Sequence, residues 1–189
     1  DELRAWLQRL AGHPRLCAVG EFGLDYFIET LDRQRQQELF EAQLRLAAEF
    51  ELPALLHVRR AHAATIATLK RQRLKRGGII HAFAGSHEEA KEYLKLGFKL
   101  GFGGAMTFTR ATRIRQLAMT LPLDAIVLET DAPDIPSAWL GGARNAPQEL
   151  PRIAGVLAEL RNLSRAEVEE TTSRNAKFLL ESGQARGFA

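Results

Sequence analysis

Residues 78–102 read GIIHAFAGSHEEAKEYLKLGFKLGF, a stretch in which two apolar runs flank one amphipathic segment. The runs at 78–82 and 98–102 are short and apolar, which predicts buried strands. Between them, Ser86 followed by Glu89 is a capping-box pattern, so a helix should begin there and end before the second run. A strand, a helix and another strand in this order form the crossover unit of a parallel sheet.

The same alternation extends over the rest of the chain. Further strand-like runs lie at 16–20, 54–58 and 125–130. Apolar residues at helical spacing predict helices up to Gly12 and over 33–51, 61–76, 109–121, 147–161 and 165–181. Five strands that alternate with helices indicate an α/β fold, either an open doubly wound sheet or a (β/α) TIM-type barrel. The barrel is favoured because no glycine-rich phosphate loop follows the first strand.

Length, composition and charge limit the class of protein. The 189 residues are 46% hydrophobic and 26% charged, which fits one folded domain over 1–189. No apolar run is long enough for a bilayer span, and the first residues lack the pattern of a secretory signal. The single cysteine, Cys17, excludes an internal disulfide, so a cytoplasmic protein is expected. The formal net charge of +3 permits a phosphate-bearing substrate without requiring one.

A side chain able to bind metal follows four of the five apolar runs. Glu21 follows the first, His57 the second, His81 the third and Asp131 the fifth. The C-terminal ends of barrel strands converge on one mouth, so these four side chains should meet there. Unpaired buried carboxylates are costly, which favours a cation among them over two hydrogen-bonded core histidines. Mixed oxygen and nitrogen donors suit zinc, manganese or magnesium, and a two-metal hydrolytic site would use both kinds of donor.

Other polar residues have less specific interpretations. His62 and His87 fall in the first turns of helices, where solvent exposure is expected. Asp25 is either a turn carboxylate or a residue that orients a group in the shell around the metal ligands. A basic cluster is interpreted as the solvated end of a helix, where cations complement the helix dipole, with a nucleic-acid patch as the alternative. The cluster comprises Lys70, Arg71, Arg73, Lys75 and Arg76.

Six segments resemble, in order and spacing, the signature segments of the TatD family of metal-dependent deoxyribonucleases. The resemblance implies a metallo-dependent hydrolase barrel, related to amidohydrolases, that degrades DNA as a 3′–5′ exonuclease with two divalent metal ions. No membrane association and no obligate protein partner are expected, and a monomer is predicted. The segments are GEFGLDY (20–26), LLHVRRA (55–61), IIHAFAGS (79–86), LETDAP (128–133), RNAPQELP (144–151) and Asn175-Ala176 before Phe178-Leu179.

The resemblance also implies a role for five residues. Glu21 would bridge two divalent ions, and His57 and His81 would hold one of them. Asp131 would hold the other ion and orient or deprotonate the attacking water. Glu21 and Asp131 are therefore the expected catalytic residues. Arg59 would contact a substrate phosphate, with an ordinary surface arginine as the alternative.

The sequence departs from the family pattern at its start. Family members open with a strand that carries a His-x-His pair, and no such pair occurs in these 189 residues. Five strands also fall short of the eight that close a barrel. The expectation is a barrel incomplete at its N-terminus, in which the metal beside Asp131 would bind weakly. Two alternatives stay open: an ester or amide hydrolase, for example on an aminoacylated nucleic acid, and a non-catalytic truncated remnant or interaction module.

Overall fold

A computed structural model describes residues 2–181 of the chain. Within these residues, five strands form one sheet and seven α-helices accompany it. The strands are β1 (Val19–Asp25), β2 (Ala54–Arg59), β3 (Gly78–Ile80), β4 (Phe98–Phe102) and β5 (Ile126–Leu128). The helices are α1 (Glu2–Leu10), α2 (Arg33–Glu49), α3 (His62–Gln72), α4 (His87–Lys95), α5 (Thr112–Thr120), α6 (Leu150–Arg161) and α7 (Arg165–Glu181). Short 3₁₀ turns occupy Gly104–Thr107, Leu123–Ala125, Ala138–Leu140 and Pro147–Glu149.

The order of the strands identifies the fold class. The sheet runs β1-β2-β3-β4-β5, and each strand is parallel to the next. A doubly wound sheet reverses its strand order at a switch point, whereas a barrel adds each strand beside the previous one. The predicted α/β TIM-type barrel arrangement is therefore confirmed. In residues 2–181 the outer strands of the sheet are β1 and β5.

The main core lies between the sheet and the helices that follow its strands. Leu24, Leu56, Ile80 and Leu100 point into it from four neighbouring strands and are fully buried. Because side chains alternate along a strand, the residues beside them face the opposite side of the sheet. Polar residues and glycines occupy many of those positions, and they line a cavity there.

Several element boundaries differ from the sequence prediction by a few residues, and the differences at β1 and α3 have a clear structural cause. The first strand was expected at 16–20, but β1 runs from Val19 to Asp25 because residues 22–25 pair with 56–59 of β2. Glu21 therefore lies inside β1, and His57 lies inside β2 two residues before its end, so neither follows its strand as predicted. Helix α3 ends at Gln72 instead of 76, because Arg73 adopts a left-handed conformation.

The predicted capping box of α4 is confirmed. The Ser86 hydroxyl accepts the Glu89 N–H at 3.1 Å, and the Glu89 carboxylate accepts the Ser86 N–H at 2.7 Å. Both bonds satisfy backbone groups that a helix N-terminus leaves unpaired. They also fix the end of the segment that leads from β3, past His81, into α4.

Cations of the basic cluster at the end of α3 are paired with acidic side chains, which fits its interpretation as the solvated end of a helix. Each of three cations lies 2.5 to 3.4 Å from a carboxylate of a neighbouring element. The pairs are Lys70–Glu92, Arg71–Glu41 and Lys75–Glu51. Within the part of the chain that the structure describes, no helix is both long and apolar enough to cross a membrane.

Candidate metal centre

Three of the predicted ligands form a tight triangle of donor atoms. Glu21 Oε1 lies 3.2 Å from His57 Nδ1 and 2.8 Å from His81 Nε2, and the two ring nitrogens are 3.0 Å apart. Bonds of about 2.1 Å at right angles place neighbouring ligand atoms about 3.0 Å apart. One carboxylate oxygen and two imidazole nitrogens at these separations fit a single divalent ion.

Close packing of β1 against β2 brings the first two of these side chains together. Gly23 pairs with His57 across the two strands, and a Cβ on Gly23 would lie 1.8 Å from the His57 carbonyl oxygen. Only glycine fits at that separation. His81 follows β3 directly, and its N–H donates to the Leu56 carbonyl at 3.0 Å, which continues the sheet pairing up to the ligand.

The second nitrogen of the His57 ring faces a carboxylate. His57 Nε2 lies 3.3 Å from Asp25 Oδ2, while Asp25 Oδ1 accepts the Phe27 N–H at 2.8 Å. The Gln36 side chain accepts the Asp25 N–H and donates to the Asp25 carbonyl, so the position of this residue is fixed from both sides. A proton on Nε2 leaves the Nδ1 lone pair directed at the triangle, which is the tautomer a metal ligand needs. Asp25 is thus both a turn carboxylate and an orienting residue.

Asp131 lies on the other side of His81. Its Oδ1 is 3.7 Å from His81 Nδ1, the nitrogen that does not belong to the triangle. The loop that carries Asp131 is held by Asn145, whose buried Nδ2 donates to the carbonyls of Thr130 at 2.7 Å and Asp134 at 2.5 Å. Burial raises the pKa of Asp131, and Glu21 raises it further while His81 opposes the rise.

A second carboxylate behind His81 escaped the sequence analysis. Glu129 accepts the Ala82 N–H at 2.5 Å and lies 3.8 Å from His81 Nδ1. Burial raises its pKa to about 7, with further contributions from the charges of Asp131 and Glu21. The sequence did contain a signal for Glu129. It lies two residues before Asp131, and alternate residues at a strand end share a face, so both carboxylates could have been placed at the same site.

Two glycines make room for the Glu129 side chain. A Cβ on Gly101 would lie 2.5 Å from Glu129 Oε2, and one on Gly103 would lie 2.7 Å from the Glu129 carbonyl oxygen. Strand β4 therefore contributes no ligand to the site. It contributes the space that the buried carboxylate occupies.

All four predicted metal residues line one open cavity of about 840 Å³, and three arginines and one histidine share its wall. The arginines are Arg59, Arg60 and Arg113, and the histidine is His62. The Arg59 guanidinium carbon lies 3.6 Å from the centroid of the Phe27 ring. The arginine predicted to contact a phosphate is therefore exposed beside an exposed ring. Arginines that share one cavity with the potential metal ligands suit a substrate that carries negative charge.

The expected solvent exposure of His62 and His87 is wrong, since both side chains are half-buried. His62 Nδ1 lies 3.1 Å from the Tyr93 hydroxyl, and its ring packs edge-on against Phe83. Burial lowers the pKa of His62. His62, at the start of α3, forms part of the cavity wall, and these contacts shield its ring.

Comparisons with known proteins find similar sequences and similar folds. A family model described as "TatD related DNase" matches residues 1–181. The metal-dependent hydrolase YjjV of Escherichia coli K12 is 41% identical over 179 residues, which are 95% of this chain and 68% of that protein. Its crystal structure superposes with a TM-score of 0.89 over the same shares of the two chains. The "3'-5' ssDNA/RNA exonuclease TatD" of Cronobacter sakazakii is 38% identical over 95% of this chain and 70% of that protein. The fold is shared by an amidohydrolase from Saccharomyces cerevisiae that is 20% identical to this chain. The two structures superpose with a TM-score of 0.77 over 93% of this chain and 68% of the yeast chain.

Proposed function

This chain belongs to the TatD-related DNase family of metal-dependent hydrolases, and we propose that it hydrolyses phosphodiester bonds of DNA as a 3′–5′ exonuclease. The observation that carries the proposal is the Glu21–His57–His81 triangle in a cavity that arginines also line. The relative named as an exonuclease of single-stranded DNA and RNA supports the same substrate class. The proposal treats 1–189 as one hydrolase domain.

The triangle supports one divalent ion, which Glu21, His57 and His81 would hold. The second ion follows from the family resemblance, and Glu21 together with Asp131 would contribute to it. Divalent ions in these positions supply Lewis-acid polarisation of a phosphoryl oxygen and a lowered pKa for water. Magnesium, manganese and zinc all suit this mixed set of donors.

The remaining steps belong to side chains of the protein. Asp131 accepts the proton of the attacking water at a carboxylate oxygen. Its raised pKa suits a general base, because proton transfer is most effective when the pKa lies closer to the working pH. Arg59 binds the phosphate, since a guanidinium offers paired donors to phosphate oxygens. Asp25 and Glu129 keep the two imidazoles and the Ala82 segment in place.

The test uses full-length protein and single-stranded oligonucleotides labelled at either the 5′ or the 3′ end. With added magnesium, manganese or zinc, mononucleotides should be released in order from the 3′ end, and a chelator should abolish the release. A parallel assay with a carboxylic ester separates the two kinds of hydrolase. Metal-dependent ester cleavage with an intact oligonucleotide would contradict the proposal.

A further inference from the structure

An exposed aromatic ring, outside the cavity lining itself, packs against two arginines that line the cavity. Phe27 follows β1 and is 42% exposed, and the guanidinium carbons of Arg59 and Arg60 lie 3.6 Å and 4.7 Å from its ring centroid. We propose that Phe27 and Arg60, next to the phosphate-binding Arg59, form a stacking platform for an unpaired nucleobase of the strand whose phosphate enters the metal centre. The inference rests on the proposed function and adds how the strand is held.

The backbone fixes this platform relative to the metal ligands. The Phe27 N–H donates to Asp25 Oδ1 at 2.8 Å, and the other oxygen of the same carboxylate faces His57 Nε2 at 3.3 Å. The Tyr26 N–H donates to the Arg59 carbonyl at 2.8 Å, which continues the pairing of β1 with β2. The ring therefore has a set distance from His57, as a binding subsite next to a reacting phosphate requires.

Charge favours a nucleic acid over other occupants of this surface. Within residues 2–181, neither Arg59 nor Arg60 forms an ion pair, whereas cations at the end of α3 are paired with carboxylates. Guanidinium planes and phenyl rings both stack on bases, and the free charge complements the neighbouring phosphates. A polymer that alternates apolar planes with anions matches this arrangement.

The position of the platform favours an unpaired base over a base in a duplex. In a duplex, each base is already stacked on its neighbours and paired through its edge, so its faces are not available to Phe27. A base at a single-stranded 3′ end can leave the stack at little cost. The platform should therefore raise the affinity for single strands more than for blunt duplexes.

The experiment measures binding of a fluorescent single strand to full-length protein in chelator, by anisotropy, so that cleavage does not interfere. Phe27→Ala should weaken binding about tenfold, the effect typical of one lost stacking contact. Arg60→Ala should weaken it several-fold, and Phe27→Trp should retain it. The matched control is Trp6→Ala, which removes a ring that is 50% exposed and lies 3.7 Å from the guanidinium carbon of Arg9, an arginine that does not line the cavity.

A kinetic comparison adds a readout that a merely structural ring would not change. Phe27→Ala should raise KM for the oligonucleotide about tenfold more than KM for an oligonucleotide whose 3′-terminal nucleotides are abasic. Equal effects on both substrates, or equal binding by the Phe27→Ala and Trp6→Ala variants, would overturn the platform. Competition by polyglutamate as effective as that by a single strand would also overturn it, in favour of an acidic peptide partner.

These outcomes separate the platform from the proposed function. A protein that binds the single strand through Phe27 and leaves it uncleaved keeps the platform and contradicts the nuclease proposal. A protein that degrades the strand equally well with and without the ring keeps the nuclease proposal and contradicts the platform.

Discussion

Asp25 Oδ2 lies 3.3 Å from His57 Nε2, on the side of the imidazole opposite to the Glu21–His57–His81 triangle. A carboxylate in this position holds the ring orientation and makes the other nitrogen a better donor to a metal. Since Gln36 holds the Asp25 backbone from both sides, the orientation is set before any ion arrives.

Asp25→Asn should weaken the affinity for manganese or zinc about 10- to 100-fold. An amide oxygen accepts the proton on His57 Nε2 less strongly than a carboxylate does, so it favours the metal-binding tautomer of His57 less. Competition with a chromophoric chelator measures this affinity. Glu29→Gln, which removes the same charge from the exposed loop after β1, is the matched control and should stay within about twofold of wild type. Equal affinities of the two variants would contradict the role of Asp25.

Asp131→Asn should lower kcat on a single-stranded 3′ end by about 100-fold or more, the usual size of a general-base contribution. Binding of the labelled strand should persist, since the phosphate contact is assigned to Arg59. Asp124→Asn, an exposed carboxylate before β5, serves as the control. Near-normal turnover of the Asp131 variant with added magnesium would contradict its role as proton acceptor.

The raised pKa of Glu129 predicts a pH dependence of stability in the metal-free protein. Between pH 4.5 and about 7 the folded state keeps a proton that the unfolded state has released, so its contribution to stability is present below pH 4.5 and is lost as the pH rises. The loss should reach roughly 3 kcal/mol at most, from about 1.4 kcal/mol per pKa unit. Urea unfolding in chelator at several pH values measures it.

Glu129→Gln should remove this pH dependence, whereas Glu159→Gln, on the exposed side of α6, should retain it. His62 has a lowered pKa and contributes a slope of the opposite sign, but it does so equally in all three proteins. The difference between variant and wild type therefore isolates Glu129. Parallel curves for wild type and Glu129→Gln would show that the carboxyl titrates normally.

Two buried asparagines allow a matched test of the loop that carries Asp131. Asn145 bridges the carbonyls of Thr130 and Asp134 beyond β5, and Asn175 bridges the carbonyls of Leu123 and Ile126 at the start of β5. Each change to alanine should cost about 1 to 3 kcal/mol, because it leaves buried carbonyls without a donor.

Only Asn145→Ala should also lower kcat, since it releases the backbone on both sides of Asp131. Activity is compared at a temperature where both variants are fully folded, as checked by circular dichroism. If Asn145→Ala and Asn175→Ala reduce kcat equally, the loss reflects general loosening of the barrel.

The sequence was informative where one local interaction determines the structure. Strand β4 was predicted with its observed bounds, and the Ser86–Glu89 capping box placed the start of α4. The extent of β1 was missed because glycines and acids at 20, 21, 23 and 25 interrupt the apolar run. Its pairing with residues 54–59 depends on a neighbour that is remote along the chain.

In the candidate site, too, local features could be predicted from the sequence and contacts between distant residues could not. The residue types of the triangle could be predicted, because they lie in or directly after short apolar runs. The contacts of Asp25 and Glu129 could not be, since each depends on the distance between two strands. The stacking of Arg60 on Phe27 likewise joins residues from two loops that the sequence leaves unrelated.

Strand β4 lies beside β5 and carries a glycine, Gly101, where the Glu129 carboxylate is closest, and Gly103 just after the strand faces the Glu129 carbonyl oxygen. In a saturation mutagenesis experiment, positions 101 and 103 should therefore tolerate as few replacements as the ligand positions do. The cause would be volume alone, since even alanine would displace the carboxylate that holds Ala82. Intolerance to mutation around this cavity is thus a measure of crowding as much as of chemistry, and a glycine can be as indispensable as a histidine.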